Sequence, residues 1–256
     1  MLTHFSLFTG IGGIDLAAEW AGFKTVGQCE FADYPTKVLE KHWKDVPRWR
    51  DVRDVTNESI RERGIEEITL LSGGFPCQPH SVAGKRKAST DERDLWPEYK
   101  RIISETNPKW ILGENVSGLL TSEHGQFFRG ILRDLHGLGY DVGWCTIRAS
   151  WVGALHRRER LFIIAHTSSI RWSSLENDKQ IRCTDINYEN YKKWLTEQNN
   201  ILSAISWTYS EPISGIHRND DGISEGVDRI KCLGNAVVPQ QVYPILKAIH
   251  DIEMGR

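Results

Sequence analysis

Residues 5–21 read Phe5-Ser-Leu-Phe-Thr-Gly-Ile-Gly-Gly-Ile-Asp-Leu-Ala-Ala-Glu-Trp-Ala21: an apolar run, a glycine-rich turn and an amphipathic stretch that stops at Gly22. The apolar run predicts a strand at Phe5 to Phe8, and the spacing of apolar residues predicts a helix from Ile14 to Ala21. A glycine turn between a strand and a helix leaves backbone N–H groups open to a nucleotide-like ligand. The same glycines are equally typical of a tight turn packed under a helix.

The alternation of apolar runs and amphipathic stretches continues as far as residue 166. It predicts further strands at Thr25 to Glu30, Ile68 to Ser72, Trp110 to Gly113, Val142 to Arg148 and Leu161 to Ala165. It also predicts helices through Trp43, from Trp96 to Glu105, from Phe127 to Leu138 and, near the end, from Pro239 to Ile252. Repeated βα units of this kind are typical of an α/β fold around a mostly parallel sheet.

Composition limits the classes of protein that the chain can belong to. Its 256 residues, 39% hydrophobic and 26% charged, are enough for one sizeable core, and no apolar run is long enough to span a membrane. The first residues carry no basic segment, so we expect no cleaved signal peptide and a cytoplasmic location. Five cysteines without a C-x-x-C pair suit a reducing compartment and argue against a zinc ribbon, so no metal is expected.

The charge of the chain is distributed unevenly. A net charge of -2 would by itself argue against a nucleic-acid partner. However, residues 148–160 hold four arginines and one glutamate, and Lys85-Arg86-Lys87 forms a second basic cluster. Residues 167–228 differ from the rest, with six Lys or Arg against ten Asp or Glu and no sustained periodicity. This stretch is interpreted as a small second lobe or a long insertion.

The segment Ser72-Gly-Gly-Phe-Pro-Cys-Gln-Pro-His-Ser81 directly follows a predicted buried strand. Cys77 therefore emerges at the carboxyl end of that strand, on the sheet edge where open α/β folds bind their ligands. A loop position between Pro76 and Gln78 presents a thiol for nucleophilic attack, whereas a structural cysteine is expected inside an apolar run. A redox thiol is disfavoured because Cys77 has no resolving cysteine nearby.

Two glutamates end predicted strands at the same edge. Glu30 follows the second strand, where a carboxylate can accept both hydroxyl groups of a ribose, although a solvated strand end has the same pattern. Glu114 ends the apolar run that begins at Trp110. It is either a helix-capping residue or a general acid in a partly dry site with a raised pKa, and spacing alone leaves both interpretations open.

In their order along the chain, these segments resemble the DNA cytosine-5 methyltransferases, which use S-adenosylmethionine. The resemblance is carried by Phe5-Ser-Leu-Phe-Thr-Gly-Ile-Gly-Gly13, Gly74-Phe-Pro-Cys-Gln78, Glu114-Asn-Val116, Arg158-Glu-Arg160 and Gly234-Asn-Ala-Val-Val238. It covers about residues 3–166 and 229–250, with departures from the usual pattern at Ser6 and His156. It implies a Rossmann-like, mostly parallel sheet with helices on both faces, plus a small target-recognition region.

The resemblance also implies a division of the chain and a set of cofactor contacts. Residues 1–166 correspond to the catalytic core, 167–228 to the target-recognition region and 229–256 to a segment that returns to the core. The residues implied to bind S-adenosylmethionine are Phe8, Gly10, Ile11, Gly13, Glu30, Phe31, Asp54, Phe75, Leu95, Asn235, Ala236 and Val237. Among these, Glu30 is expected on the ribose, Phe31 against the adenine and Asp54 at its amino group.

The same resemblance implies that Cys77, Glu114, Arg158 and Arg160 are catalytic, and that Gln78, Ser81 and Asn115 contact the substrate. The implied reaction is methyl transfer to carbon-5 of a cytosine flipped out of double-stranded DNA. A monomer is expected, with a restriction endonuclease as a candidate companion. Two alternatives remain: the same reaction on transfer RNA, and a non-catalytic DNA-binding regulator. The intact Cys77 and Glu114 motifs count against the second.

Overall fold

The computed structural model describes residues 1–76, 94–167 and 236–255, which form an α/β fold. Its strands are β1 (Thr3–Leu7), β2 (Lys24–Cys29), β3 (Arg48–Trp49), β4 (Leu70–Gly73), β5 (Trp110–Val116), β6 (Tyr140–Arg148) and β7 (Glu159–Thr167). Its helices are α1 (Gly13–Ala21), α2 (Asp33–His42), α3 (Asn57–Arg61), α4 (Trp96–Thr106), α5 (Gln126–Gly137) and α6 (Pro239–Glu253). Short 3-10 turns at Val52–Asp54, Ser117–Leu120, Ser122–Gly125 and Ala149–Val152 join some of them.

The strands form one seven-stranded sheet in the order β3-β2-β1-β4-β5-β7-β6. The pairings among β1 to β5 are parallel, whereas β7 runs antiparallel to both of its neighbours. The amino end of β7 therefore lies at the same sheet edge as the carboxyl ends of the parallel strands. The prediction of a mostly parallel sheet is confirmed.

Helices cover both faces of the sheet, each over its own apolar core. On one face, α1 and α6 pack over Leu70, Leu112 and Phe162. On the other face, residues of α3, α4 and α5 pack over Leu71 and Ile111. Successive residues of a central strand therefore pack into opposite cores. Because both faces of these strands are buried, their sequences are unbroken apolar runs.

Helix α1 shows why the first segment of the chain folds as predicted. Ile14, Ala17, Ala18 and Ala21 are buried on one side of it, and the three small side chains allow α6 to approach closely. Gly22 ends the helix in the left-handed conformation at φ 100°, where its N–H donates to the carbonyls of Ala18 and Glu19. The observed helix differs from the predicted one by a single residue.

Three elements differ from the predictions. Strand β5 continues to Val116 because it pairs with β7 along its whole length. The two-residue strand β3 and the five-residue helix α3 were not predicted, since both are too short to establish a period. Among residues 1–76, 94–167 and 236–255, no helix combines the length and the apolar character that crossing a bilayer requires.

Candidate active site

A cavity of about 810 Å³ opens at the carboxyl edge of the parallel strands. The turns after β1, β2, β3 and β4 and the end of β5 form its walls, and the segment before α6 closes it. Its lining includes Phe8, Gly10, Ile11, Gly13, Glu30, Phe31, Asp51, Gly74, Leu95, Glu114, Ala236 and Val237. The cavity therefore lies where open α/β folds bind their ligands.

The turn between β1 and α1 uses left-handed backbone at three positions. Phe8, Gly10 and Gly12 have φ of 51°, 58° and 86°, and this conformation is unusual for a phenylalanine. The N–H of Thr9 donates to the carbonyl of Cys29 at 3.0 Å, which fixes the turn against the end of β2. A Cβ on Gly12 would lie 2.5 Å from the ring of Trp43, so this glycine is required by packing as well as by conformation.

Gly13 permits the close approach of the segment before α6. A Cβ added there would lie 2.4 Å from the carbonyl oxygen of Val237, a backbone atom that cannot easily move. Only glycine therefore allows Ala236 and Val237 to reach the cavity wall. This contact joins the first motif of the chain to the last.

Glu30 stands at the end of β2 with its carboxylate held by the backbone. Its Oε2 accepts from the N–H of Gly10 at 2.7 Å, and its Oε1 accepts from the N–H of Ala32 at 2.8 Å. A carboxylate can accept about four hydrogen bonds, so each oxygen retains acceptor capacity toward the cavity. Beside it, Phe31 is 76% exposed and offers an aromatic face at the cavity wall.

A buried network of polar side chains supports the turn between β1 and α1. The Asp15 carboxylate accepts from the Ser6 hydroxyl at 3.1 Å and from the Gln28 amide at 2.9 Å. Burial, the dominant cause, raises the pKa of Asp15 to about 6, against the lowering effect of these two hydrogen bonds. The Ser6 hydroxyl oxygen also lies 3.0 Å from that of Thr9, so the departure at Ser6 joins the network to the turn.

Glu114 lies at the end of β5 on the opposite side of the cavity and is 8% exposed. Its Oε1 forms an ion pair with Nε of Arg160 at 2.9 Å. Burial is the largest influence and raises the pKa of Glu114 to about 7, although the positive charges of Arg160 and Arg158 act to lower it. The carboxyl group can therefore both hold and release a proton near neutral pH.

The antiparallel strand β7 explains how Arg160 reaches Glu114. Arg160 pairs with Val116 and Phe162 pairs with Glu114, so the arginine and the glutamate are diagonal neighbours on one face. Arg158 precedes the strand, and burial lowers the pKa of its guanidinium, with Arg160 adding to the effect. The structure thus brings the arginine pair and the acid together, a proximity that the sequence analysis did not predict.

Asn115 points to the opposite face and holds the loop after β4. Its Nδ2 donates to the carbonyl oxygen of Phe75 at 3.0 Å, two residues before Cys77. The Phe75 ring itself lies in an aromatic cluster with Trp96 and Tyr99, with ring centroids 5.3 and 6.0 Å away. Asn115 therefore fixes the backbone from which the Cys77 loop departs.

Most of the residues implied to bind a cofactor line the cavity, and two do not. Phe75 is buried in the aromatic cluster, while its neighbours Gly74 and Pro76 line the wall. Asp54 is exposed and is absent from the cavity wall, where Asp51 lies instead. Cys77, Gln78, Ser81 and Asn235 lie outside the described residues, as do the Lys85-Arg86-Lys87 cluster and the greater part of the predicted target-recognition region.

Asp51 was missed because the sequence repeats a dipeptide. Asp-Val occurs at Asp51-Val52 and again at Asp54-Val55, so a match by residue type can slip by three positions. In the structure, Asp51 caps the 3-10 turn by accepting from the N–H of Arg53 at 2.9 Å. The signal that distinguishes the two aspartates is their distance from β3, since Asp51 is the second residue after that strand and lines the cavity.

Comparisons with known proteins agree with this geometry. The family model of C-5 cytosine-specific DNA methylases matches residues 2–221. The Type II methyltransferase M.BsuFI of Bacillus subtilis is 39% identical over 164 residues, which are 64% of this chain and 39% of that protein. M.NgoMIV of Neisseria gonorrhoeae is 32% identical over 213 residues, 80% of this chain and 64% of that protein. The chain thus spans less than two thirds of the length of these relatives.

The solved structures show the same fold. The methyltransferase EhMeth of Entamoeba histolytica superposes with a TM-score of 0.56 over 71% of this chain and 56% of its own, at 19% identity. At that identity the likeness concerns the architecture alone. The family model, by contrast, covers most of the sequence, including the cavity turn, the Cys77 loop and the arginine pair. The chain therefore belongs to the C-5 cytosine-specific DNA methylase family.

Proposed function

We propose that the protein transfers a methyl group from S-adenosylmethionine to carbon-5 of cytosine in double-stranded DNA. The observation that carries the proposal is Glu114, a buried acid with a pKa of about 7 at the wall of an 810 Å³ cavity. A carboxyl group with such a pKa is suited to proton transfer at neutral pH. The opposite wall, with Glu30 and the glycine turn, is suited to a nucleoside.

The residues of that wall fit S-adenosylmethionine. Glu30 keeps acceptor capacity for the two ribose hydroxyls because backbone N–H groups use only part of it. Phe31 presents its exposed ring to the adenine. Asp51, which lies on the cavity wall, takes the role at the adenine amino group that the resemblance assigned to Asp54. When bound, the cofactor supplies an electrophilic methyl group on a positively charged sulfur.

Carbon-5 of cytosine is a poor nucleophile, and Cys77 is proposed to change this. Its thiolate forms a bond to carbon-6, and the electron pair of the 5,6 double bond moves into the ring toward nitrogen-3. Glu114 donates its proton to nitrogen-3, which leaves a neutral enamine whose carbon-5 is nucleophilic. After methylation, a base removes the carbon-5 proton, the double bond re-forms, the Cys77–carbon-6 bond breaks and nitrogen-3 returns its proton.

Arg160 and Arg158 adjust the acidity of Glu114. Burial alone would raise the pKa of this carboxyl further, and the two positive charges counteract it. After donating its proton to nitrogen-3, the carboxylate remains next to the guanidinium of Arg160 at 2.9 Å. The ion pair therefore stabilises the charge that Glu114 acquires as the adduct forms.

The chemistry requires a base outside the stacked duplex, which costs a few kcal/mol. Within this proposal, residues 1–166 form the catalytic core, 167–228 read the DNA and 229–256 complete the cofactor pocket. Gln78 and Ser81 contact the DNA backbone, and the enzyme acts as a cytoplasmic monomer. Two relatives are named Type II methyltransferases, which supports a restriction endonuclease as companion.

The test replaces Cys77 and traps the adduct. Cys77→Ala should abolish methyl transfer to unmethylated genomic DNA while cofactor affinity stays within about twofold, because the thiol contacts the base. Cys145→Ala, which alters a buried cysteine of the sheet, is the matched control and should remain active. DNA containing 5-fluorocytosine should form a denaturation-resistant adduct with the wild type and with Cys145→Ala, but not with Cys77→Ala. Turnover by Cys77→Ala within tenfold of the wild type would contradict the mechanism, and transfer RNA as the preferred substrate would contradict the DNA assignment.

A further inference from the structure

The loop of residues 149–157, which joins β6 to β7, projects from the sheet beside the candidate active site. It is closed at its base by a hydrogen bond from the N–H of Ala149 to the carbonyl of Arg158 at 2.8 Å. Two residues further along, Arg160 pairs with Val116 and contacts Glu114. The loop therefore ends three residues before the arginine that contacts Glu114.

The 149–157 loop is anchored internally. Its first turn buries Ala149 and Val152, and the N–H of Ala154 donates back to the carbonyl of Ala149 at 3.1 Å. From α6, the buried side chain of Gln241 holds both stems, because its Nε2 donates to the carbonyls of Ile147 at 2.8 Å and Arg158 at 3.0 Å. These contacts fix the conformation of the loop in the free protein, and this lowers the entropic cost of binding a ligand.

The outer surface of the loop combines apolar and basic side chains. Trp151 is 42% exposed and Leu155 is 87% exposed, while His156 and Arg157 are exposed beside them. Residues 149–158 contain no acidic residue. The nearby Arg148 guanidinium lies 5.6 Å from the Trp151 ring centre and pairs with Glu159 at 2.8 Å, which orients the ring.

We propose that the 149–157 loop is a contact surface for duplex DNA at the nucleotides that flank the target base, an inference that rests on the proposed function. The positive charge of its exposed Arg157 complements a phosphate. Trp151 and Leu155 supply apolar surface for sugars and for base faces that extrusion of the target uncovers. The loop thus extends the DNA-binding surface beyond the 167–228 region.

The experiment measures single-turnover methylation of unmethylated genomic DNA as a function of DNA concentration. Trp151→Ala should raise the half-saturating DNA concentration about tenfold, since a base stacked on an aromatic ring contributes that much. Leu155→Ser should raise the same concentration, because it removes apolar surface from the contact. Arg157→Gln should reduce the slope of log affinity against log salt by about 0.9. Cofactor affinity should stay within twofold, because the loop residues do not line the cavity.

Trp144→Ala is the matched control. Trp144 is 44% exposed on the same hairpin but lies in β6 and packs on Phe128. Trp144→Ala should leave DNA affinity within twofold of the wild type.

Equal effects of Trp144→Ala and Trp151→Ala on DNA affinity, or an unchanged DNA affinity in the loop variants, would overturn the inference. A lowered melting temperature without DNA, with unchanged DNA affinity, would assign the loop to internal packing. A wild type that methylates no DNA would instead remove the proposed function.

Discussion

Glu30 and Glu114 are the same residue type at the same edge of one sheet, and their surroundings differ completely. Glu30 is half-buried and accepts two backbone N–H groups from its own turn. Glu114 is buried, forms an ion pair with Arg160 of the neighbouring strand β7 and has a pKa of about 7. One glutamate is arranged to accept hydrogen bonds, and the other is arranged to exchange a proton.

The difference shows that the role of a carboxylate follows from its neighbours. Both glutamates lie at the carboxyl ends of parallel strands, Glu30 directly after β2 and Glu114 two residues before the end of β5. The Glu30 carboxylate faces the turn between β1 and α1, whereas β5 pairs with the antiparallel strand β7, which supplies Arg160 to Glu114. Desolvation then outweighs the attraction of the arginines.

The sharpest test of the comparison exchanges each glutamate for glutamine. Glu114→Gln should reduce the single-turnover rate at saturating DNA and cofactor by a factor of about 10² to 10⁴, because the amide can donate a hydrogen bond but cannot transfer a proton. Glu30→Gln should leave this rate within about threefold. A fall of less than about fivefold for Glu114→Gln would return Glu114 to a structural role.

The second prediction concerns stability against pH. The pKa of Glu114 is raised from 4.5 to about 7 in the fold, so the native state binds more protons than the unfolded state across that interval. Its contribution to stability is complete below pH 4.5 and is lost as the pH rises through 7, a change of about 3 kcal/mol.

This contribution can be isolated by comparing denaturant unfolding of the wild type and Glu114→Gln from pH 4 to pH 8. The variant should gain about 3 kcal/mol relative to the wild type over the interval. His4, with a pKa lowered to about 3 by burial, and Asp15 titrate in both proteins, so their effects cancel. If the difference in unfolding free energy between the two proteins stays constant from pH 4 to pH 8, the raised pKa of Glu114 is contradicted.

The third prediction addresses Glu30 as an acceptor. Glu30→Gln replaces one accepting oxygen by a donor, so either Gly10 or Ala32 loses its partner and the ribose loses an acceptor. Cofactor affinity should weaken about 10- to 100-fold, the size of one or more hydrogen bonds to a charged group. Isothermal titration with S-adenosylmethionine measures this, and Glu114→Gln, expected to bind within threefold of the wild type, is the control.

The smallest expected effect separates two aspartates on the Glu30 side. Asp51→Asn should weaken cofactor affinity about fivefold, since a hydrogen bond contributes about 1 kcal/mol. The turn should survive, because asparagine retains an oxygen for the N–H of Arg53. Asp54→Asn should change affinity less than twofold, because Asp54 does not line the cavity. A larger loss of cofactor affinity for Asp54→Asn than for Asp51→Asn would indicate that Asp54 contacts the adenine.

The sequence predicted those features that depend on local pattern. Strand β1, the glycine turn and α1 follow from one continuous segment, and the strands β6 and β7 follow from two apolar runs close together in the chain. The position of Glu114 at the carboxyl end of a strand was also predicted from the apolar run that precedes it. Each of these inferences rests on periodicity or on the direction of a strand.

Features that depend on contacts between distant segments were not predictable. The steric limit at Gly13 arises from Val237, more than two hundred residues away. Gln241 holds the stems of the 149–157 loop from a helix whose sequence shows only an amphipathic period. The choice between Asp51 and Asp54 required knowing which one the short strand β3 places at the cavity. No local pattern encodes these distances.

The ladder between β5 and β7 makes the acidity of Glu114 sensitive to chain length. Seven consecutive residue pairs, from Trp110 with His166 to Val116 with Arg160, set the position of the arginine. Inserting one residue into β7 after Arg160 would turn its side chain to the other face of the sheet and leave Glu114 buried without its counter-charge. An insertion in the 149–157 loop would change no pair of this ladder. We therefore expect lineages of this chain to tolerate gaps in that loop while β7 keeps a constant length.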